Sequence, residues 1–259
     1  MLTMEFFNPS EPFSYATLQS HIQRYNFASR FVGGGKVLDI ACGSGFGTSF
    51  LKTSGADYVL GGDISPEAIK CSRENYKDNK TEFLFLDGTR LPFRNSSLDV
   101  VVSFETLEHI PEYELFISEL HRILKKGGKL VLSTPNKEVF SPGFKQPLRA
   151  HHTKEFKANE LKSLLLNHRF TEVETLGQLY ANRISQLRWL LSFLLPSFPG
   201  GNFLAKLAMI LSKDSRLLPA DRSIGKSRDI SFDSKYKVSP WHDSFFSTPA
   251  ILIITAKAN

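Results

Sequence analysis

The sequence has little of several features that would each indicate a particular class of protein. It contains two cysteines, Cys42 and Cys71, so we expect neither a disulfide framework nor a cysteine-rich zinc site, and we interpret both as small, reduced side chains. No run of about 18 uncharged apolar residues occurs. The opening segment, residues 1–13, lacks the basic start and apolar stretch of a secretory signal. We therefore expect a cytoplasmic protein.

The excess of positive charge is confined to one late segment. The 259 residues include 32 Lys and Arg and 26 Asp and Glu, which gives a net charge of +6. Residues 183–237 hold ten of the basic residues and four of the acidic ones, so the rest of the chain carries 22 of each sign and is neutral. A nucleic-acid-binding protein more often spreads its basic residues over the face that follows the phosphate backbone. We do not expect nucleic acid as a partner.

Within Val37–Thr48, a short apolar run contains an acidic residue near its end and is followed by glycines. This pattern predicts a strand, a tight loop and a helix, because glycine lets the backbone turn sharply and approach a ligand without a Cβ in the way. Asp39 at the strand end would repel a pyrophosphate but suits a ligand with an ammonium and a sulfonium group. Asp63 follows the next apolar run, at about the 20-residue distance where a carboxylate binds ribose hydroxyls. Two carboxylates are thus expected to bracket one cofactor.

These segments resemble a class I S-adenosylmethionine-dependent methyltransferase of the small-molecule type, similar to quinone-biosynthesis and glycan-pathway methyltransferases. The resemblance covers residues 36–177 and 250–257 and implies S-adenosyl-L-methionine as the cofactor. It also implies that Asp87 binds the adenine amino group and that Arg24 or Tyr25 reaches the cofactor carboxylate. The alternatives are that Asp87 caps its own turn, that Tyr25 is a core residue and that Arg24 is solvated. The cofactor-binding residues that we predict are Tyr25, Asp39, Ala41, Gly43, Gly45, Asp63, Ile64, Asp87, Gly88 and Phe104.

The order of the elements predicts an α/β fold with a doubly wound, mostly parallel seven-stranded sheet and an antiparallel last strand. Leu98–Phe104 is a near-continuous apolar run, typical of a strand that is buried on both faces of a parallel sheet. A helix within the first segment is expected to cover the edge of the first strand as a lid. The four segments that we predict are an N-terminal lid helix in 1–35, a Rossmann-like core in 36–179, a helical, basic insertion in 180–249 and the last strand in 250–259.

Candidates for chemistry follow the fourth strand, because ligands of open α/β sheets lie outside the carboxyl ends of the strands. Glu105 and His109 lie there, and His152 precedes a helix that is able to fold over the same opening. Histidine suits a general base near neutral pH. The alternatives are that His109 forms a hydrogen bond within its loop and that His152 caps the following helix. No group of His, Cys or acidic residues has metal-ligand spacing, so no metal is expected.

The insertion carries two apolar stretches, Leu187–Leu195 and Phe203–Leu211, each too short to span a bilayer. One interpretation is a structural helical pair with solvated charges. The other is a substrate lid whose basic rim, within 183–237, attracts phosphate or the inner face of the membrane. The sequence therefore predicts methyl transfer to an O, N or C atom of a small or lipid-like, anionic molecule, such as a quinone precursor or a lipid-linked sugar. The alternative is a non-catalytic cofactor-binding or scaffold protein. An aminopropyl transferase is disfavoured by the basic insertion, and nothing in the sequence indicates an oligomeric state.

Overall fold

The computed structural model describes residues 15–178, 238–240 and 249–259. The helices are α1 Tyr15–Ala28, α2 Phe46–Thr53, α3 Pro66–Tyr76, α4 Tyr113–Ile123, α5 Lys137–Phe140 and α6 Ala158–Asn167. The strands are β1 Lys36–Ile40, β2 Tyr58–Asp63, β3 Thr81–Phe85, β4 Leu98–Phe104, β5 Leu124–Pro135, β6 Phe170–Gln178, β7 Val238–Pro240 and β8 Ile251–Ala258. Short 3-10 turns lie at Ser29–Phe31 and Leu107–His109.

The strands form one sheet in the order β3-β2-β1-β4-β5-β8-β6-β7. The first five strands in this order are parallel, and β8 is antiparallel to both β5 and β6. The predicted doubly wound, mostly parallel fold with an antiparallel last strand is confirmed. The direction of winding reverses between β1 and β4, and such a switch point opens a crevice beyond the carboxyl ends of the two strands.

The predicted number of strands was wrong for the described part of the chain, which contributes eight strands to the sheet instead of seven. The additional strand, β7, has three residues and pairs antiparallel with the end of β6. It lies in the segment that was predicted to be helical. A three-residue strand has too short a pattern to be recognised from the sequence, because its pairing with β6 defines it. The rest of that insertion, 179–237 and 241–248, lies outside the described residues, as do residues 1–14.

Both faces of the sheet are covered by helices. On one face, Leu38 and Val101 pack with α4 and α6 around Phe116 and Leu161. On the other face, Val100, Val102 and their neighbours pack with α1 and α2. Because successive residues of β4 point to opposite faces, its continuous apolar run supplies both layers, as the sequence pattern predicted. The central strands are therefore rigidly held, and their carboxyl ends form a fixed platform for a site.

Helix α1 does not cover a sheet edge, contrary to the prediction, because β1 lies in the middle of the sheet between β2 and β4. The helix packs against α2 and β7, and the side chain of Gln178 at the end of β6 donates a hydrogen bond to the carbonyl of Ser20. Ile22 and Tyr25 of α1 are buried, as are Gln19 and Gln23. The tertiary fold thus encloses α1 on more than one side, and α1 reaches the carboxyl end of the sheet. Among the described residues, no helix combines the length and apolarity needed to cross a bilayer.

Candidate functional site

The loop after β1 takes its shape from backbone conformations that favour glycine. Ala41, Gly43 and Gly45 all have positive φ, at 64°, 54° and 84°. The amide of Ala41 donates a hydrogen bond of 2.7 Å to the carbonyl of Gly62, which ties the loop to the end of β2. A Cβ on Gly45 would lie 2.6 Å from Cβ of Ser72 in α3. The loop therefore packs too closely on α3 to accept a side chain at Gly45.

Asp63 joins the two loops at the carboxyl ends of β1 and β2. Its Oδ2 accepts a hydrogen bond of 2.9 Å from the amide of Gly43, and its Oδ1 accepts one of 2.9 Å from the amide of Ser65. Burial raises the pKa of this carboxyl group, and the two amide bonds work against that rise. Each carboxylate oxygen has a second lone pair, so Asp63 retains the capacity to accept ribose hydroxyls. Ile64, also predicted to bind the cofactor, is 48% exposed.

Asp39 is more deeply buried than the sequence suggested, at 1% exposure. Its Oδ2 accepts a hydrogen bond of 2.7 Å from the hydroxyl of Thr48, and the hydroxyl of Tyr25 lies 3.2 and 3.3 Å from its two oxygens. Burial raises the pKa of Asp39 from 3.8 to about 7, although both hydrogen bonds favour the ionised form. In this structure Asp39 is therefore covered by Tyr25 and does not face the crevice openly.

Tyr25 and Arg24 place α1 against the predicted cofactor site. A Cβ on Gly47 would lie 1.8 Å from the ring of Tyr25, so the ring rests directly on the start of α2. The edge of the same ring packs on Phe104 at a centroid distance of 5.0 Å. Arg24 donates a hydrogen bond of 2.7 Å to Gln178, and at 2% exposure it is not the solvated residue that the alternative interpretation proposed. Both side chains face the interior of the fold because α1 is enclosed there.

Asp87 and Gly88 lie on the loop after β3. Asp87 is exposed, and its Oδ1 accepts hydrogen bonds from the amide and the hydroxyl of Thr89, at 2.8 and 2.7 Å. These bonds make Asp87 a turn-capping residue, and its role at adenine stays a prediction. A Cβ on Gly88 would lie 2.6 Å from the ring of Phe116. Close packing against α4 thus accounts for the glycine without reference to a ligand.

The residues around the glycine loop fit a nucleoside-type methyl donor in their chemistry. The hydroxyl of Ser44 is buried and has no hydrogen-bond partner among the described residues. Asp63 has spare acceptor capacity for hydroxyl groups, and the exposed side chain of Ile64 offers an apolar surface beside it. The individual cofactor contacts of the predicted residues stay predictions.

A second group of side chains lies beyond the carboxyl end of β4. Glu105 is the first residue after the strand and has a φ of 51°, a strained value for a side chain of this size. Its Oε1 accepts a hydrogen bond of 2.7 Å from the hydroxyl of Ser133 on β5. The strained turn points the chain away from the sheet and into the 3-10 turn that carries His109.

Glu108 and His109 form the centre of this group. The Oε2 atom of Glu108 accepts a hydrogen bond of 2.9 Å from the hydroxyl of Thr134, and its Oε1 lies 3.7 Å from Nε2 of His109. Nδ1 of His109 lies 3.0 Å from the carbonyl oxygen of His151. Burial raises the pKa of the Glu108 carboxyl well above its usual range, and the carboxylate of Glu105 adds to this rise. Burial lowers the pKa of His109, so its ring is neutral near neutral pH.

His152 joins the group from a separate segment of the chain. Its ring lies 5.1 Å from that of His109 in an edge-on arrangement, and its Nδ1 lies 2.7 Å from Oε1 of Glu155. His152 does not cap the following helix, contrary to the alternative interpretation, because α6 begins at Ala158 and its N-cap is Lys157. The structure thus brings together all three predicted catalytic residues, whereas their roles in catalysis stay predictions.

Sequence reasoning missed Glu108 and Glu155 as members of this group. The ligand atoms of Glu108, His109 and His152 all lie within 4.8 Å of one another, although no ligand spacing marks them in the sequence. The available signal was Glu108 itself, an acidic residue directly before His109 at the exit of a buried strand. The return of His152 to this opening was predicted, whereas nothing in the sequence indicated that Glu108 would face His109 or that Glu155 would bind His152.

Comparison with known proteins identifies the core. Residues 38–132 match a family described as "Methyltransferase domain". The match covers less than half of the chain, and within it the chain is similar to a class I methyltransferase domain. One curated relative named below is described as a probable S-adenosylmethionine-dependent methyltransferase, the enzyme class and cofactor that the sequence predicted for this chain.

Two curated relatives and one solved structure illustrate the similarity. A probable S-adenosylmethionine-dependent methyltransferase of Mycobacterium tuberculosis is 34% identical over 151 residues, which are 58% of this chain and 54% of the relative. A phthiotriol/phenolphthiotriol dimycocerosates methyltransferase of Mycobacterium leprae is 34% identical over 116 residues, 43% of each chain. This chain thus matches about half the length of the curated relatives. A methyltransferase of Thermotoga maritima, described as a possible histamine N-methyltransferase, has the same fold, with a TM-score of 0.60, 16% identity and coverage of 94% of this chain and 92% of that one.

Proposed function

We propose that this protein transfers the methyl group of S-adenosylmethionine to a nucleophilic O, N or C atom of a small or lipid-like molecule. One observation carries this proposal: the glycine loop with Asp63 and the group of Glu105, His109 and His152 lie at the carboxyl ends of β1, β2 and β4, on the two sides of the switch point. A donor held on the first side faces an acceptor held on the second.

The roles that we propose for these residues follow from the chemistry of methyl transfer. Methyl transfer from a sulfonium is an in-line displacement, so the protein mainly holds the nucleophile at near-attack distance and excludes water. An oxygen or nitrogen nucleophile that carries a proton also needs a base near neutral pH. His109 is suited to this role, because burial keeps its ring neutral. His152 lies beside it, and Glu105 supplies a negative charge at the same edge.

The acceptor that we favour is lipid-like. The support comes from the M. leprae relative, whose name specifies a dimycocerosate lipid. It also comes from the basic, apolar-rich segment 183–237, which suits an amphiphilic anion or the inner membrane face. This segment lies outside the described residues, so peripheral attachment to the membrane remains a prediction from the sequence, as does the cytoplasmic location.

The test is transfer of a labelled methyl group. The purified chain is incubated with S-adenosylmethionine labelled in the methyl group and with a cell extract, and the products are partitioned between water and an organic solvent. We expect label in the organic phase, and its loss with Asp63→Ala. Label confined to the aqueous phase would reject the lipid-like acceptor. Tight cofactor binding without any transfer would instead support the alternative, a non-catalytic cofactor-binding protein.

A further inference from the structure

We propose that Glu108, His109 and His152 form a binding site for one divalent transition-metal ion. Their ligand atoms lie within 4.8 Å of one another, and Oε1 of Glu108 is 3.7 Å from Nε2 of His109. In a tetrahedral site with bonds of about 2.0 Å, neighbouring ligand atoms are about 3.3 Å apart. Small side-chain rotations therefore close the three ligands around an ion.

In both histidines, Nδ1 forms the kind of hydrogen bond that orients a histidine metal ligand. A carbonyl oxygen only accepts hydrogen bonds, so Nδ1 of His109, at 3.0 Å from the carbonyl of His151, carries the proton. Nδ1 of His152 lies 2.7 Å from Oε1 of Glu155. A carboxylate also accepts hydrogen bonds, so this Nδ1 likewise carries the proton. In the neutral rings the lone pairs then lie on the two Nε2 atoms. Histidine ligands in metal sites almost always donate their other N–H to a carboxylate or a backbone carbonyl, and the two histidines show one case of each.

The third ligand is held in the same manner. Oε2 of Glu108 accepts the hydrogen bond from Thr134, which leaves Oε1 on the side of His109. The carbonyl oxygen of Glu108 accepts hydrogen bonds from the amide and the hydroxyl of Thr153, at 2.7 and 3.0 Å. These two bonds fix the segment that carries His152 against the turn that carries Glu108. The cluster is therefore preorganised by bonds that do not use its ligand atoms.

The buried charge of this region favours a cation. The side chains of Glu108 and Glu155 are 1% and 0% exposed, and within the described ranges neither forms an ion pair with a lysine or an arginine. Oε2 of Glu155 is buried and has no hydrogen-bond partner there. A buried carboxylate is costly unless a charge or several hydrogen bonds compensate it. An ion at the Nε2 atoms offsets both carboxylates at once, one by direct coordination and the other through His152.

Two imidazoles and one carboxylate select the class of ion. Imidazole suits Zn²⁺ and the neighbouring transition metals, whereas Mg²⁺ and Ca²⁺ prefer oxygen ligands alone. Three protein ligands also leave at least one coordination position open, as in catalytic sites. We therefore expect Zn²⁺ with an exchangeable position, and weaker binding of Mn²⁺.

The open position gives the ion a role that rests on the proposed function, in which the ion replaces His109 as the group that activates the acceptor, because a metal on Nε2 occupies the lone pair that a base needs. An ion at the carboxyl end of β4 coordinates a hydroxyl oxygen of the acceptor and lowers the pKa of that hydroxyl. The proton is released to water, the oxygen forms its bond to the methyl carbon with its own electron pair, and the carbon–sulfur bond breaks with its pair retained by sulfur. The proposal thus narrows the acceptor to a hydroxyl compound.

Metal binding is tested on the full chain without reference to activity. Protein without an affinity tag is stripped with a chelator and titrated with ZnCl₂ and MnCl₂ by calorimetry, and bound metal is counted by mass spectrometry. We expect one ion per chain, and a loss of affinity of at least about 100-fold in His109→Ala and in His152→Ala. Glu155→Gln should weaken binding about 10- to 100-fold through the orientation of His152. The absorption spectrum of the Co²⁺ form should change in all three variants.

The matched control is His168→Ala. Nδ1 of His168 also binds a backbone carbonyl, that of Leu164 at 2.9 Å, but the residue lies at the end of α6, away from the cluster. It should leave metal affinity unchanged. Glu108→Gln keeps the shape of the ligand and an acceptor for Thr134, so it serves where an alanine variant fails to fold, as judged by its melting temperature. Absence of binding in the wild-type chain, or equal binding in the wild type and in folded His109→Ala and His152→Ala, overturns the site.

A second measurement separates this proposal from the proposed function. Once an acceptor is known, turnover is compared before metal removal, after it and after metal is restored. Loss and recovery of at least about tenfold supports the catalytic role. Unchanged turnover overturns that role, and metal binding without any methyl transfer overturns the function but keeps the site.

Discussion

The glycine loop and the Glu108–His109–His152 cluster lie at the same edge of one sheet, but they are built in different ways. The glycine loop is a continuous piece of chain, Val37–Thr48, joined to Asp63 on the adjacent strand. The cluster combines a turn after β4 with a loop that precedes α6, and the hydrogen bonds from Thr153 to the carbonyl of Glu108 hold the two together. A local site is visible in the sequence, whereas an assembled one appears only after folding.

The two regions also deal with buried charge differently. Asp63 is held by two backbone amides of its own loops, and Asp39 by hydroxyl groups of Thr48 and Tyr25. Glu108 accepts a hydrogen bond from the hydroxyl of Thr134, and its Oε1 lies 3.7 Å from Nε2 of His109. The carboxylates of the loop are thus compensated by hydrogen bonds within the fold, whereas Glu108 has Oε1 directed toward His109. Four experiments test this difference.

The largest expected effect on stability is that of Gly45→Ala. The new Cβ meets Cβ of Ser72 at 2.6 Å, and the residue must also keep a φ of 84°, so we expect a loss of about 3 kcal/mol, measured by urea unfolding. Gly34→Ala is the control, because Gly34 has a φ of 69° with nothing within 4 Å of its added Cβ. It should cost about 1 kcal/mol. Equal losses would show that packing on α3 does not shape the loop.

Asp63→Ala should weaken cofactor binding about 10- to 100-fold, as expected for the loss of a charge-assisted hydrogen bond. The change also removes the acceptor for the amides of Gly43 and Ser65. Asp63→Asn keeps one acceptor oxygen and should lose less. Calorimetry with S-adenosylmethionine measures both. Unchanged affinity in the alanine variant would remove Asp63 from the cofactor site.

Thr134→Val should destabilise the fold by about 1–3 kcal/mol, because it leaves a buried oxygen of Glu108 without its donor. Thr89→Val removes a similar bond, of 2.7 Å to the exposed carboxylate of Asp87, and should change stability by less than about 0.5 kcal/mol. Thermal unfolding of the two variants makes the comparison. A loss in Thr134→Val as small as that in Thr89→Val would mean that Glu108 is already compensated by its surroundings.

The fourth effect, which is measured across a range of pH and not at one pH, is a pH dependence that comes from Asp39. Its pKa is raised from 3.8 to about 7 in the folded state, so the folded protein keeps a proton that the unfolded chain has lost. The resulting contribution to stability is fully present below pH 4, falls as the pH rises toward 7, and is flat above it. The steepest slope is about 1.4 kcal/mol per pH unit. Asp39→Asn should remove this slope, so the difference between variant and wild type should grow from pH 4 to pH 7. A constant difference would show that Asp39 ionises normally.

Sequence reasoning succeeded where the pattern was local. The alternation of strands and helices predicted the mostly parallel sheet that the structure shows. It was wrong about the coverage by α1 and the strand count, since these depend on which elements meet. Arg24 illustrates this dependence. It donates a hydrogen bond to Gln178, 154 residues away, and the sequence gives no sign that separates such an arginine from a solvated one.

The fold class could be predicted from the sequence, because the glycine loop, the acidic strand ends and the order of the elements are short-range features of the chain. Only the folded structure shows that Tyr25 covers Asp39 and that Glu108 faces His109. Such meetings depend on packing and hydrogen bonds between distant segments, and no spacing along the chain encodes them.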